Sequence, residues 1–107
     1  MNTPASLPSF QSRVVPVVVV TDPAQAVPMA EALLAGGVDV IEITLRSAAG
    51  LAAIEAVAKA VPAMQVGAGT VTRASEVAQV IAAGARFALS PGATPALIDT
   101  VLAADLP

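Results

Sequence analysis

Four times along this sequence, an aliphatic run gives way to a stretch whose apolar residues recur at helical spacing. Val14–Thr21 is a continuous β-branched run, the mark of a strand buried on both faces. Asp22-Pro23 then starts a helix, with Asp as N-cap and Pro at the first helical position, and Gly36-Gly37 stop it. Val38–Leu45 is a second strand, and a second helix from Ala48 to Ala60 places Leu51, Ile54, Ala58 and Val61 on one face. Met64–Ala68 is a third strand, and Thr72 caps a third helix that stops at Gly84. Arg86–Leu89 is a fourth strand, and Thr94-Pro95 opens a fourth helix running toward Ala104. The order βαβαβαβα with short connections forces parallel strands with helices outside them.

The pattern also repeats within itself. Ala35-Gly36-Gly37-Val38 and Ala82-Ala83-Gly84-Ala85 each close a helix and open a strand, so each repeat is a (βα)2 pair. A doubly wound sheet and a section of a (βα)8 barrel both fit. A complete barrel takes roughly 200–250 residues, and four units in 107 residues are half of one. The reading is therefore a parallel (βα)4 unit over residues 14–107, the first half of a (βα)8 TIM barrel. Residues 1–13 are a polar, Pro/Ser-rich tail or entry segment, and a fifth strand is expected to begin at Leu106-Pro107.

Missing residue types exclude whole classes of chemistry. With no Cys there is no disulfide, zinc–thiolate site, iron–sulfur cluster or thiol nucleophile, and with no His there is no Ser-His-Asp triad or imidazole ligand. Charged residues are 12% of the chain and the net charge is −3, which argues against a nucleic-acid surface. Phe10 and Phe87 are the sole aromatic residues, too few for base stacking. No uncharged run reaches the ~18 residues needed to span a membrane. Val14–Val20 loosely imitates a signal peptide, but Pro16 breaks its short core, so a cytoplasmic protein is the expectation.

What polar residues remain gather at the ends of strands. Alternation puts Val40, Glu42, Thr44 and Arg46 on one face of the second strand and Ile41, Ile43 and Leu45 on the other. The aliphatic face suits helices, so Glu42 and Arg46 point into the barrel or its mouth. Residues four apart on a strand are ~13 Å apart at the backbone, so each charge is expected to find another partner. An ion pair with a later strand is the structural reading. A site is the functional one, because parallel α/β folds carry their sites at the carboxyl ends of strands. Gly67-Ala68-Gly69-Thr70 ends the third strand, where missing side chains would let a ligand approach the backbone or simply permit a tight turn. Ser90-Pro91-Gly92 ends the fourth strand at the equivalent level. Lys59, the one lysine, lies one turn after Glu55 on the outer face of the second helix, the place of a surface lysine and not of a desolvated amine nucleophile.

Taken together and in order, Val14-Val15-Pro16-Val17, Ala26-Val27-Pro28-Met29-Ala30, Ala35-Gly36-Gly37-Val38, Ile41-Glu42-Ile43-Thr44-Leu45-Arg46, Val66-Gly67-Ala68-Gly69-Thr70 and Ser90-Pro91-Gly92 resemble the amino-terminal half of 2-keto-3-deoxy-6-phosphogluconate (KDPG) aldolase. That family also includes 4-hydroxy-2-oxoglutarate (KHG) aldolases. The resemblance implies a metal-free, cofactor-free class I aldolase on a (βα)8 barrel, commonly a homotrimer serving the Entner–Doudoroff pathway. Its partners would be a phosphorylated keto acid, cleaved to pyruvate and glyceraldehyde 3-phosphate. By the family motif Glu42 would be the general acid/base acting through a water, Arg46 would hold the pyruvoyl carboxylate, and Thr70 and Pro91 would line the pyruvoyl pocket. The family's Schiff-base lysine lies on a later strand, and no counterpart exists in these 107 residues. The chain alone is therefore expected to be inactive. A non-catalytic, self-associating half-barrel and a related phosphogalactonate or hydroxy-oxoglutarate aldolase are the alternatives.

Overall fold

The computed structural model describes residues 5–107; the first residues of the expected tail lie outside them. Three strands, β1 (Val17–Val18), β2 (Val40–Thr44) and β3 (Gln65–Gly69), form a parallel sheet in sequential order. Their register pairs Val17 with Glu42, Glu42 with Gly67 and Thr44 with Gly69. Helices α1 (Ala26–Ala35), α2 (Gly50–Ala60) and α3 (Ala74–Ala83) connect and follow the strands, and α4 (Pro95–Ala103) closes the order. The expected fourth strand is an extended segment whose one formal bridge pairs Ala88 with Ala68. It is nonetheless laddered to β3, with Arg86 N donating to Val66 O and Leu89 N to Ala68 O, both at 2.9 Å. On its far side Ala88 N donates to Pro107 O at 2.9 Å, which puts Leu106-Pro107 where the next strand was expected.

The sheet's outer face carries the core. Ile41, Ile43, Val66 and Ala68 are buried there against Ala53, Ile54 and Val57 of α2 and Val77 and Val80 of α3. Gly50 lets α2 start close to β2, since a Cβ there would lie 2.5 Å from Thr44 O. Burial of such aliphatic side chains, at about 1.5–3 kcal/mol each, holds the helical layer to the sheet.

Two element readings are corrected. Val14–Thr21 is not buried on both faces: Val20 is buried, whereas Val15, Val17 and Val19 alternate with it and are exposed, Val17 by 56%. Two-sided burial needs a second wall, and the inner face of this sheet has none opposite β1. Helix α3 begins after Arg73, not at a Thr72 cap; Glu76 Oε1 reaches back to accept from Thr72 N (2.9 Å) and Arg73 N (3.0 Å). The Asp22 cap holds, accepting from Ala24 N at 3.0 Å, but the turn it opens, Pro23–Gln25, is 3₁₀ before α1 proper begins.

The repeat noted in the sequence is a repeat of helix endings. Gly37 (φ 88°) and Gly84 (φ 100°) each take the left-handed position after a helix, with paired backbone bonds such as Val38 N to Leu33 O and Gly37 N to Leu34 O. A third copy follows α4, where Leu106 N donates to Val101 O and Asp105 N to Leu102 O, and here Asp105 (φ 53°) occupies the left-handed position. Asp tolerates that conformation better than most non-glycine residues, so the absence of a glycine hid the third copy.

Candidate active site

Alternation along β2 sends Glu42 to the inner face of the sheet, where it is 8% exposed, and Thr44 beside it is fully buried. Register sets Gly67 directly beside Glu42 and Gly69 one step further toward the carboxyl ends of the strands. The two glycines are two slots. A Cβ on Gly67 would run into the ring of Phe87, with Cδ2 at 2.6 Å, so the phenyl ring fills that slot. A Cβ on Gly69 would run into the Glu42 carboxylate, with Cδ at 2.9 Å and Cγ at 3.0 Å. The glycines thus make room for protein side chains, and both lie within β3, which corrects the reading of a tight turn. With the ring beside it, Glu42 leans toward the strand ends and rests its carboxylate over Gly69.

The three strand ends are stitched together there. Leu45 N donates to Gly69 O at 2.9 Å, and Val71 N donates to Leu89 O at 3.1 Å. Between these two bonds Thr70 is held at φ 58°, a conformation rare for a β-branched residue and worth about 1–3 kcal/mol of strain. Such strain persists only where the surroundings over-determine it. Pro91 lies in the exposed turn that follows Leu89, where Ser90 Oγ accepts from Gly92 N at 3.3 Å.

Glu42 and Arg46 do not meet. Arg46 is exposed in the turn after β2, and among the described residues the one ion pair is Lys59–Glu55, at 2.6 Å on the outer face of α2. Neither the separate partner expected for each charge nor an ion pair with a later strand is found among the described residues. Burial holds the Glu42 carboxyl above the usual glutamate range, and the Arg46 charge offsets part of that rise. A carboxyl raised this way can carry a proton nearer neutrality than an exposed one can.

Below the carboxylate the inner face is apolar. A cleft of about 260 Å³ is walled by Val15, Val17, Glu42, Phe87 and Leu89 and underlain by Phe10. Phe10 packs on Phe87, ring centroids 5.3 Å apart and planes tilted by 53°. The segment carrying Phe10 is tied across the amino-terminal ends of the strands: Asp39 accepts from Gln11 N (2.8 Å) and Ser12 N (2.9 Å), and Gln65 Nε2 donates to Ser9 O. A second cleft, about 210 Å³ between the fourth extended segment and α4, is lined by aliphatic residues and Ser90 and holds no titratable group. Glu42, in the first, is the one titratable side chain that lines either cleft. Among the described residues, no group of three or more carboxylates could hold a metal ion.

Sequence reasoning did not find Phe10, Phe87 or Asp39. Phe10 lay in a segment read as polar, and the match of a ring on one strand to a glycine on the next is a non-local fact. Two glycines alternating in a strand were the available signal.

The chain matches the family model "KDPG and KHG aldolase" over residues 9–107. It is 55% identical to the 2-dehydro-3-deoxy-phosphogluconate aldolase of Pseudoalteromonas atlantica over 89 residues, covering 83% of this chain and 41% of that one. It is 51% identical to the KHG/KDPG aldolase of Escherichia coli K12, covering 88% of this chain and 44% of the other. A crystal structure of the Legionella pneumophila KDPG aldolase, with pyruvate captured as a covalent carbinolamine, superposes with a TM-score of 0.85 at 43% identity, covering 90% and 47% of the two chains. The chain spans less than half the length of these relatives, and its match to the family model includes every strand end described above. It belongs to the KDPG/KHG aldolase family.

Proposed function

We propose that this chain supplies the acid/base half of a class I aldolase site that cleaves 2-keto-3-deoxy-6-phosphogluconate to pyruvate and glyceraldehyde 3-phosphate. The observation that carries the reading is Glu42: a nearly buried carboxyl over Gly69, accepting no hydrogen bond among the described residues, with its pKa raised by burial and tempered by Arg46. A group so placed moves protons through a water at the mouth of the sheet. Arg46, exposed just beyond, is free to take the carboxylate of a keto acid in bidentate fashion. Thr70 and Pro91 follow the carboxyl ends of β3 and of the fourth segment, and in this reading they line the pyruvoyl pocket. The nucleophile must come from elsewhere, because Lys59 is 74% exposed and bonded to Glu55.

Assembly as a trimer and a cytoplasmic location are part of the same proposal. Among the described residues no helix is long and apolar enough to cross a membrane. The test is pyruvate with borohydride, read by mass spectrometry. This chain is expected to gain no adduct, whereas a chimera carrying the carboxyl-terminal half of the Pseudoalteromonas atlantica relative gains one on that half. An adduct on Lys59, or none on the chimera, overturns the reading.

A self-associating half-barrel is favoured by one observation, the exposed inner-face row of Val15, Val17 and Val19 together with Leu89. Light scattering separates the two, since concentration-dependent dimers or larger species are expected of that reading and a monodisperse monomer removes it.

A further inference from the structure

We propose that Phe87, backed by Phe10, is a positioning residue of this site: its ring is the apolar floor that keeps the Glu42 carboxylate over Gly69 and shuts water out from the amino-terminal end of the sheet. The proposal rests on reading Glu42 as the acid/base. Three features of the geometry carry it. The ring occupies the slot above Gly67, the residue paired with Glu42, so Glu42 cannot drop into that slot and must lean toward the strand ends. The ring is itself buried, 2% exposed, with Phe10 against it. Phe10 in turn is held by the neighbouring backbone bonds to Asp39. The floor is thus a stack running from the entry segment through two rings to the carboxylate.

No charged group on the packed elements competes with this effect. From β1 Glu42 faces Val17, from β3 Gly67 and Gly69, from the fourth segment Phe87 and Leu89, and from the entry segment Leu7 and Phe10. Arg46, on the turn after its own strand, is the one charge whose field reaches it among the described residues. The desolvation of Glu42 is therefore owed to apolar walls, and Phe87, over the register partner Gly67, is the buried aromatic one among them.

Carboxyl-resolved NMR titration of Glu42 in this 107-residue chain tests the proposal, with Phe87→Ala, Phe87→Leu and Phe10→Ala. The parent midpoint is expected above the ordinary glutamate value. Phe87→Ala should bring it down toward that value, Phe87→Leu should leave it near the parent's, and Phe10→Ala should lower it part of the way. A folded Phe87→Ala with an unmoved midpoint overturns the proposal, as does a Phe87→Leu that falls equally far. If Phe87→Ala does not fold, Phe10→Ala decides, and an unmoved midpoint there overturns it. A parent midpoint at the ordinary value does so too. The titration needs no turnover, so its failure leaves the pyruvate-trapping result standing, and a failed trapping leaves the titration to be read alone.

Discussion

The two ends of the sheet are built to opposite rules. At the amino-terminal end polar groups are tied up: Asp39 holds two backbone amides, Gln65 holds the Ser9 carbonyl and Arg86 donates to Pro62 O at 3.0 Å. Left-handed positions there fall to Gly37 and Gly84, which adopt them at little cost, and to Asp105, of a type that tolerates them better than most non-glycine residues. At the carboxyl end Glu42 accepts no hydrogen bond among the described residues, Arg46 is exposed, and the left-handed position falls to Thr70, which adopts it under strain. The same fold commits its polar side chains to closure at one end and leaves Glu42 and Arg46 without protein partners among the described residues at the other. That division is the one expected of parallel barrels, whose sites lie at the carboxyl end.

The largest effect is expected from one added methyl group at either of the two β3 glycines, Gly67 in the packed middle of the strand and Gly69 at its carboxyl end. Gly67→Ala pushes a Cβ into the buried ring of Phe87, which has Phe10 against it, so both rings must shift. The loss expected is about 1–3 kcal/mol, as for overpacking a filled core. Gly69→Ala meets the tip of a Glu side chain that can swing into the open mouth. Its cost in stability should be smaller, while the carboxylate is displaced from its place. Urea unfolding of both variants decides, and a Gly69→Ala loss as large as that of Gly67→Ala removes the distinction between a packed middle and an open end.

The left-handed positions should respond with opposite signs at the two ends. Thr70→Gly relieves strain of about 1–3 kcal/mol and adds roughly 1 kcal/mol of unfolded-state entropy, for a net gain of about 1 kcal/mol. Gly84→Ala, at the other end, introduces strain where there was none and brings its Cβ to 2.6 Å from Ala58 Cβ, so it should lose stability. Thermal unfolding of the pair checks both signs. A Thr70→Gly chain less stable than the parent shows that the Thr70 backbone is not strained.

Where sequence and structure part company, the reason is distance along the chain. The βα alternation and the inward side of Glu42 were legible because each depends on period alone, within one strand or helix. The Asp22 and Thr94 caps were legible because each reaches two or three residues. Phe87 over Gly67, Phe10 under Phe87 and Asp39 on Gln11 each join separate segments, and nothing local announces them. The two-sided burial expected of β1 failed for the same reason, since a run of valines cannot report whether a second wall exists. Thr70 and Asp105 were hidden differently: their residue types argue against the backbone conformation they adopt.

The least effect, and the one that sets the two ends directly against each other, is the response to acid. Asp39 has its pKa lowered below 3.8, chiefly by the amides of Gln11 and then Ser12. A group depressed in the folded state stabilises above its unfolded value and loses that contribution as pH falls through the folded one. Glu42 has its pKa raised above 4.5, chiefly by burial. A raised group stabilises fully below its unfolded value and loses that contribution as pH rises through the folded one. On descending from neutrality the carboxyl end should therefore gain stability first, as Glu42 takes its proton, and the amino-terminal end should lose it later, as Asp39 takes its own. Difference curves isolate each group from the other carboxylates. The urea midpoint of the parent minus that of Glu42→Gln should rise as pH falls toward 4.5, and the parent minus Asp39→Asn should fall as pH drops below 3.8. If both curves slope the same way, the two ends do not differ in how they hold their carboxyls, and the contrast between a closed end and an available one is lost at its most direct point.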